Sequence, residues 1–234
     1  MAGDAPTTGD VTVGSFAAAA RAATGIAVVI DVFRAFTTAA VALANGARRI
    51  VMVDDLDEAL ALRVRGLGSR CLGERGGLRP PGFDFGNSPA EITGIRFDGE
   101  TLIQTTSNGT RGVVAAAGAR HVYAGALVSA EATVRVIRAL GPLPVALVAM
   151  GDHDRERADE DELCALYLRS RLAGRTPDRD ALARIVATMA LRADGVRLDE
   201  ADVAACIAVD RVPFAVRVSA EGGLLFATAE TPPA

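Results

Sequence analysis

The chain has 234 residues, half of them hydrophobic, with a formal net charge of −4 and a mean hydropathy of +0.26, which is ample for a packed, soluble fold. All 25 basic residues are arginines, so chemistries that need an ammonium are excluded: Schiff-base catalysis, a Walker-A nucleotide site and a hydrolase of the Asp-Lys-Cys kind. The acidic balance, with arginines interspersed among carboxylates, argues against nucleic acid and leaves small anions as partners.

Residues 1–10 read as a frayed start. GIAVVID, from Gly25 to Asp31, is a continuous β-branched run of the kind buried on both faces in parallel sheets. A helix follows over Thr37 to Ala44, with Asn45-Gly46 as its stop, and a strand begins near Arg48, which makes a βαβ unit. Leu56 to Arg65 reads as helix and Arg70 to Leu72 as a short strand. Gly73 to Pro89 carries three prolines and five glycines and is irregular. Thr101 to Thr105 is the next strand, broken by Asn108-Gly109 before a helix over Arg111 to Ala117. His121 to Gly125 reads as strand, Ser129 to Leu140 as helix and Pro144 to Met150 as strand. Helices are expected over Glu160 to Leu172 and Ala181 to Leu191, then a closing hairpin of Val212 to Val218 and Leu224 to Thr228 around Glu221-Gly222-Gly223. Strand and helix alternate throughout, which predicts a layered α/β/α architecture with a mostly parallel or mixed sheet. No linker divides the chain, so 1–234 reads as one α/β domain, with two closely packed subdomains as the alternative.

No stretch approaches the roughly 20 apolar residues of a spanning helix, and MAGDAPTTGD lacks the pattern of a signal peptide, so a cytoplasmic protein without a membrane partner is expected. Cys71, Cys164 and Cys206 lack metal-ligand spacing and sit among apolar neighbours, as reduced, structural thiols do. Composition carries no signal of oligomeric state.

Three polar clusters follow apolar runs: DVFRAFTT, GERGGLRPPGFDFGNSP and TTSNGTR. In open parallel sheets, ligands bind beyond the carboxyl ends of strands, where Asp31, Glu74, Thr106 and Gly151 are expected. An ionised Asp31 at the end of a buried run must be paired, hydrogen-bonded or bound to a cation. It is a catalytic or metal-binding candidate, or else pairs with Arg34 or caps the next helix; Thr37 and Thr38 read as caps. Glu74-Arg75 and the glycines after it set a carboxylate and a guanidinium beside backbone that can approach a ligand, or simply fold a loop. Asn87-Ser88-Pro89 reads as a helix N-cap, a position compatible with anion binding. Asn108, Thr110 and Arg111 form an oxyanion cradle or, alternatively, an Asn-Gly turn with a Thr cap. Asp152, Asp154 and Glu156 read as a solvated loop, while Glu160 and Asp161 enter a helix, with Asp161 placed to complete a metal site. Hard oxygen donors without a histidine cluster favour Mg²⁺ over Zn²⁺. Of the two histidines, His121 and His153, neither meets a cysteine nucleophile, and His121 reads as structural.

The segments VVIDVFRAFTTAAVALANGA, LGERGG, GFDFGNSPAEI, TTSNGTRG and EDELCA, in that order from Val28 to Ala165, resemble the 2-phosphosulfolactate phosphatase family, with weaker similarity around DRVPFAV. The resemblance implies an α/β layered fold of that family's own type. It also implies Mg²⁺-dependent hydrolysis of a small anionic phosphate ester to sulfolactate and phosphate, in the route to coenzyme M. Carried over by motif, Asp31, Arg34, Glu74, Arg75, Asn87, Ser88, Asn108, Thr110, Arg111, Glu160 and Asp161 are the positions expected around substrate and metal. Their side-chain chemistry assigns the roles: Asp31, Arg34, Glu74, Arg75 and Arg111 are the expected catalytic residues. Asn87, Ser88, Asn108 and Thr110 are the expected substrate contacts, Asp31, Glu74 and Asp161 the metal ligands, and Glu160 lies beside them. Leu166 stands where the family usually has glycine, and DHDRERAD is more polar than the corresponding loop. Asp31-Val32-Phe33 is not the Asp-x-Asp start of the haloacid-dehalogenase phosphatases, whose lysine is also missing. The alternatives are a phosphatase for another phosphorylated hydroxy acid and a non-catalytic anion-binding protein.

Overall fold

The computed structural model describes residues 9–152, 155–190 and 198–233. The sequence readings on residues 1–8, His153, Asp154 and Leu191 therefore lie outside the described residues. In chain order the elements are β1 (Val11–Ser15), α1 (Phe16–Ala22), β2 (Ile26–Ile30), α2 (Ala35–Ala44), β3 (Arg49–Met52), α3 (Leu56–Val64), β4 (Arg70–Gly73), β5 (Thr101–Thr105), α4 (Gly109–Ala115), β6 (His121–Gly125), α5 (Ala130–Ala139), β7 (Val145–Ala149), α6 (Asp159–Leu172), α7 (Arg179–Ala190), α8 (Glu200–Cys206), β8 (Ala215–Glu221) and β9 (Leu224–Glu230).

Among the described residues all nine strands join one mixed sheet in the order β1-β7-β2-β6-β8-β9-β3-β5-β4. The blocks β1-β7-β2-β6 and β3-β5-β4 are parallel within themselves. The C-terminal hairpin does not close an edge; it lies between the two blocks, with antiparallel pairings on β6, within itself and on β3. Three reversals turn the β3-β5-β4 block against the β2 block. Six inter-strand steps separate β2 from β4, and a twist of roughly 20–25° per step accumulates to about 120–150°, which largely offsets that reversal. The carboxyl ends of β2, β4 and β5 meet: Glu74 after β4 accepts from Ser107 N after β5, and Gly109 after β5 abuts Asp31 after β2.

Helices cover both faces. On β2, Ala27 and Val29 face one core with α2 and α4, while Ile26, Val28 and Ile30 face a second with α5 and α6. All five residues are fully buried, and each Ile or Val contributes about 1.5–3 kcal/mol relative to exposure. This double burial is what the uninterrupted apolar run anticipated. A third core lies between α3 and the outer block, through Val51, Cys71, Ile103 and Phe226. The three cysteines are free thiols in these cores, as expected from their neighbours, and burial pushes the Cys71 thiol up to about 11. No helix among the described residues is long and apolar enough to cross a membrane.

Three sequence readings are corrected. β1 and α1 form directly after the expected frayed start, over residues for which no element was expected; β1 is a short, incompletely buried edge strand paired with β7. Residues 89–94 form turns in place of the helix expected after Asn87-Ser88-Pro89, and the cap is Ser88 alone, whose Oγ accepts from Glu91 N at 3.0 Å. α8 was not anticipated at all.

Candidate active site

Asp31 leaves β2 with its carboxylate turned inward. Its Oδ1 accepts from Ala35 N, in the first turn of α2, at 3.0 Å. A Cβ at Gly109 would stand 2.9 Å from Asp31 Oδ2 and 2.8 Å from Ala35 Cβ, so only glycine lets α4 start this close to the carboxylate. Burial, then repulsion from Glu74 and Glu160, pushes Asp31 up to about 7, against backbone hydrogen bonds from Ala35 and Gly109 that favour its charged form.

Asp161 lies one turn into α6, whose first turn carries four acids, as a helix N-terminus favours. It is 3% exposed, with Oδ1 accepting from Val32 N at 2.8 Å and Oδ2 from Gly151 N at 3.1 Å. The side chain therefore clamps the chain leaving β2 to the chain leaving β7. Burial, then repulsion from Asp31 and Glu160, holds its carboxyl well above the usual range. Glu160, less deeply placed, is also raised, first by burial and then by the nearby acids Asp159 and Asp152.

Glu74 follows β4 and is likewise buried. Its Oε1 accepts from Ser107 N at 2.6 Å, and its Oε2 from Gly77 N at 2.8 Å and Ser107 Oγ at 3.0 Å. One carboxylate thus ties the glycine-rich loop to the TTSNGTR loop, the junction that brings the second and third clusters to Asp31.

The three candidate arginines part company. Arg34 does not pair with Asp31: its Nη1 donates to Asp202 of α8 at 2.8 Å and its Nη2 to Gly77 O at 3.4 Å. Arg75 donates to Glu74 O, Asp54 O and Thr105 Oγ1 at 2.6–2.8 Å, stapling its own loop. Arg111 is exposed and, among the described residues, forms no ion pair or hydrogen bond with the protein; with Ala17, Ser107, Asn108 and Met150 it lines a small pocket. Asn108 starts α4 and its Nδ2 donates to Asp152 Oδ1 at 3.3 Å. Thr110 is fully buried, its hydroxyl donating to Thr106 O and accepting from Thr106 N, so it closes the loop from inside and offers no exposed face to a substrate. Asn87 is buried, with no partner for its Oδ1 among the described residues, while Ser88 Oγ donates to Asp202 Oδ1 at 2.6 Å. Asp202 is the residue that sequence reasoning missed; in the seven residues EADVAAC it stands two places after Glu200, and so short a stretch carries no periodic signal to tell the buried acid from the exposed one.

Among the described residues no group of three or more Asp, Glu, His or Cys side chains is gathered tightly enough to hold a metal ion as it stands. The donor chemistry fits a hard divalent cation. Asp31, Glu74 and Glu160 supply only oxygen, an oxygen accepting one amide keeps a second lone pair, and mutual repulsion is what a cation relieves.

Residues 15–215 match the family described as 2-phosphosulpholactate phosphatase. The chain belongs to that family. A relative from Carboxydothermus hydrogenoformans, named probable 2-phosphosulfolactate phosphatase, is 42% identical over 146 residues, 62% of this chain and 60% of the relative. One of the same name from Deinococcus radiodurans is 39% identical over 165 residues, 70% of this chain and 69% of the relative, and one from Bacillus subtilis is 33% identical over 149 residues, 64% of each. The aligned part thus spans about three fifths of the first relative's length. All the clusters described above fall within the family match.

The acids also set a pH dependence. Asp31 is raised from an unfolded value near 3.9 to about 7 in the fold, so the folded state binds more protons between those limits. Its contribution to stability is complete below the lower value and is lost as pH rises through the upper one; Glu160 and Asp161 act with the same sign. In EDTA the protein is therefore expected to melt higher at pH 5 than at pH 8. A thermal melt in EDTA that is flat or rising from pH 5 to 8 would contradict this.

Proposed function

We propose that the chain is a Mg²⁺-dependent phosphatase that hydrolyses 2-phosphosulfolactate to sulfolactate and phosphate. The observation that carries this reading, in a chain of this family, is a buried Asp31 pushed towards neutrality beside Glu74 and Glu160, with Arg111, unpaired among the described residues, in the first turn of the helix that starts against its carboxylate.

Asp31 acts either as the attacking carboxylate or as the group that orients the attacking water. Arg111 has its full complement of donors for the anionic oxygens of the ester and stabilises the charge that develops on them. Asn108, which lines the same pocket, is a polar contact beside it, and Asn87, whose buried Oδ1 lacks a partner among the described residues, offers an acceptor to a substrate hydroxyl. Arg34, Arg75, Ser88 and Thr110, whose polar atoms are already engaged, hold the loops in register. Asp31 with Glu74, Glu160 or Asp161 would hold Mg²⁺, and Asp161, whose oxygens accept from Val32 N and Gly151 N, also keeps Asp31 in place. When bound, Mg²⁺ supplies neutralisation of the non-bridging phosphoryl oxygens.

The test is phosphate release from 2-phosphosulfolactate and from other phosphorylated hydroxy acids, with Mg²⁺ and with EDTA, for the native chain and Arg111→Ala. Release that stops in EDTA is expected. The substitution should raise KM roughly 10- to 100-fold, the loss of a charge-assisted contact of about 1.5–3 kcal/mol. A better rate on another ester would rename the substrate, and silence on every ester from folded protein would overturn the phosphatase.

A further inference from the structure

Asp202 lies outside every motif that the site shares with the family's sequence pattern, on the seven-residue α8. It is 2% exposed, yet it is a carboxylate. Its Oδ2 accepts from Arg34 Nη1 at 2.8 Å, and its Oδ1 from Ser88 Oγ at 2.6 Å and Ala90 N at 3.0 Å. One side chain thus joins the turn after β2 to the far end of the glycine-rich loop. Arg34 continues the connection through Gly77 O, and Gly77 N donates to Glu74 Oε2 at 2.8 Å. A line of hydrogen bonds runs from α8 through Arg34 to Glu74.

We propose that Asp202 is a positioning residue of the active site, which locks Arg34 and the 74–90 loop into one frame and so fixes Glu74 relative to Asp31. This rests on the phosphatase reading for its kinetic consequence. An apolar side chain would pack α8 as well as a buried ion pair does, or better. The carboxylate has instead a geometric consequence: its two oxygens take donors from two loops that no strand pairing holds together. Pairing also neutralises Arg34, which leaves Arg111 as the candidate arginine free to meet an anion.

Two readouts test this on the full chain, for Asp202→Asn and for the milder Ser88→Ala. In the first, kcat of Asp202→Asn should fall at least about 10-fold with KM within about 3-fold, and Arg34→Lys added to it should cost little more, since both remove one interaction. A kcat per folded molecule that stays native while only the melting temperature drops would make Asp202 purely structural and overturn the proposal. In the second, which needs no substrate, hydrogen exchange at Gly77 and Ala90 should quicken at least about 10-fold in the variant while β2 amides keep native rates. Unchanged exchange at both positions would overturn it even if the native chain released no phosphate, a result that would count against the phosphatase reading alone. Where Asp202→Asn does not fold, Ser88→Ala is expected to give the same pattern at smaller amplitude, and a native pattern there overturns the proposal.

Discussion

Asp31→Asn is expected to abolish phosphate release, by roughly 10³-fold or more, while leaving the chain folded. The amide is nearly isosteric, its oxygen can still accept from Ala35 N, and the substitution removes a buried charge that Glu74 and Glu160 oppose. The cost is the hydrogen bond from Gly109 N if the amide nitrogen takes the place of Oδ2. The melting temperature of metal-free protein at pH 8 should therefore change little. Its fall between pH 5 and pH 8 should shrink, because one of the titrations responsible is gone. Turnover within 10-fold of native would sink the assignment of Asp31 to the reaction. An undiminished pH dependence of the melt would separately show that Asp31 does not carry that burden. The two readouts are independent, so a protein that is inactive for reasons of folding is recognised as such.

Gly73→Ala should produce the largest loss of stability. Gly73 ends β4 opposite Thr105 of β5 at φ +149°, and a Cβ there would lie 1.9 Å from Thr105 O. That carbonyl belongs to a paired backbone and also accepts from Glu74 N at 3.2 Å, so it cannot step aside without breaking the strand end. Backbone strain and overlap together should cost about 3 kcal/mol or more, a drop in melting temperature of roughly 6–12 °C for a chain of this size. Because Glu74 is the next residue, phosphate release should fall with it even below the new melting point. A melt within about 2 °C of native would mean that the two strand ends separate more easily than their pairing implies.

The alternation of strand and helix was legible because each period is a local property. The β-branched run before Asp31, the stop at Asn45-Gly46 and the turn at Gly222-Gly223 all fall where the chain changes direction. β1 and α8 escaped for the same reason: VTVGS is an incompletely buried edge strand and EADVAAC is too short to repeat a hydrophobic face. The hairpin was visible as a hairpin, but not its place between two parallel blocks, since neither strand carries a mark of the partner it will find.

The candidate site divides in the same way. Residue types and order alone delivered the carboxylates of Asp31, Glu74 and Asp161 to strand and helix ends and excluded ammonium chemistry, because these follow from hydrophobic runs and composition. Which groups are spent and which are free was decided only by the tertiary structure. Arg34 and Arg111 look alike along the chain, yet one is neutralised by an acid 168 residues away and the other stands unpaired among the described residues. Thr110 and Asn87 read equally as ligands, yet one hydroxyl is closed on its own loop and one amide oxygen is left without a partner. Pairing between distant side chains depends on how the sheet twists and what the helices bring across it, and local sequence carries no record of either.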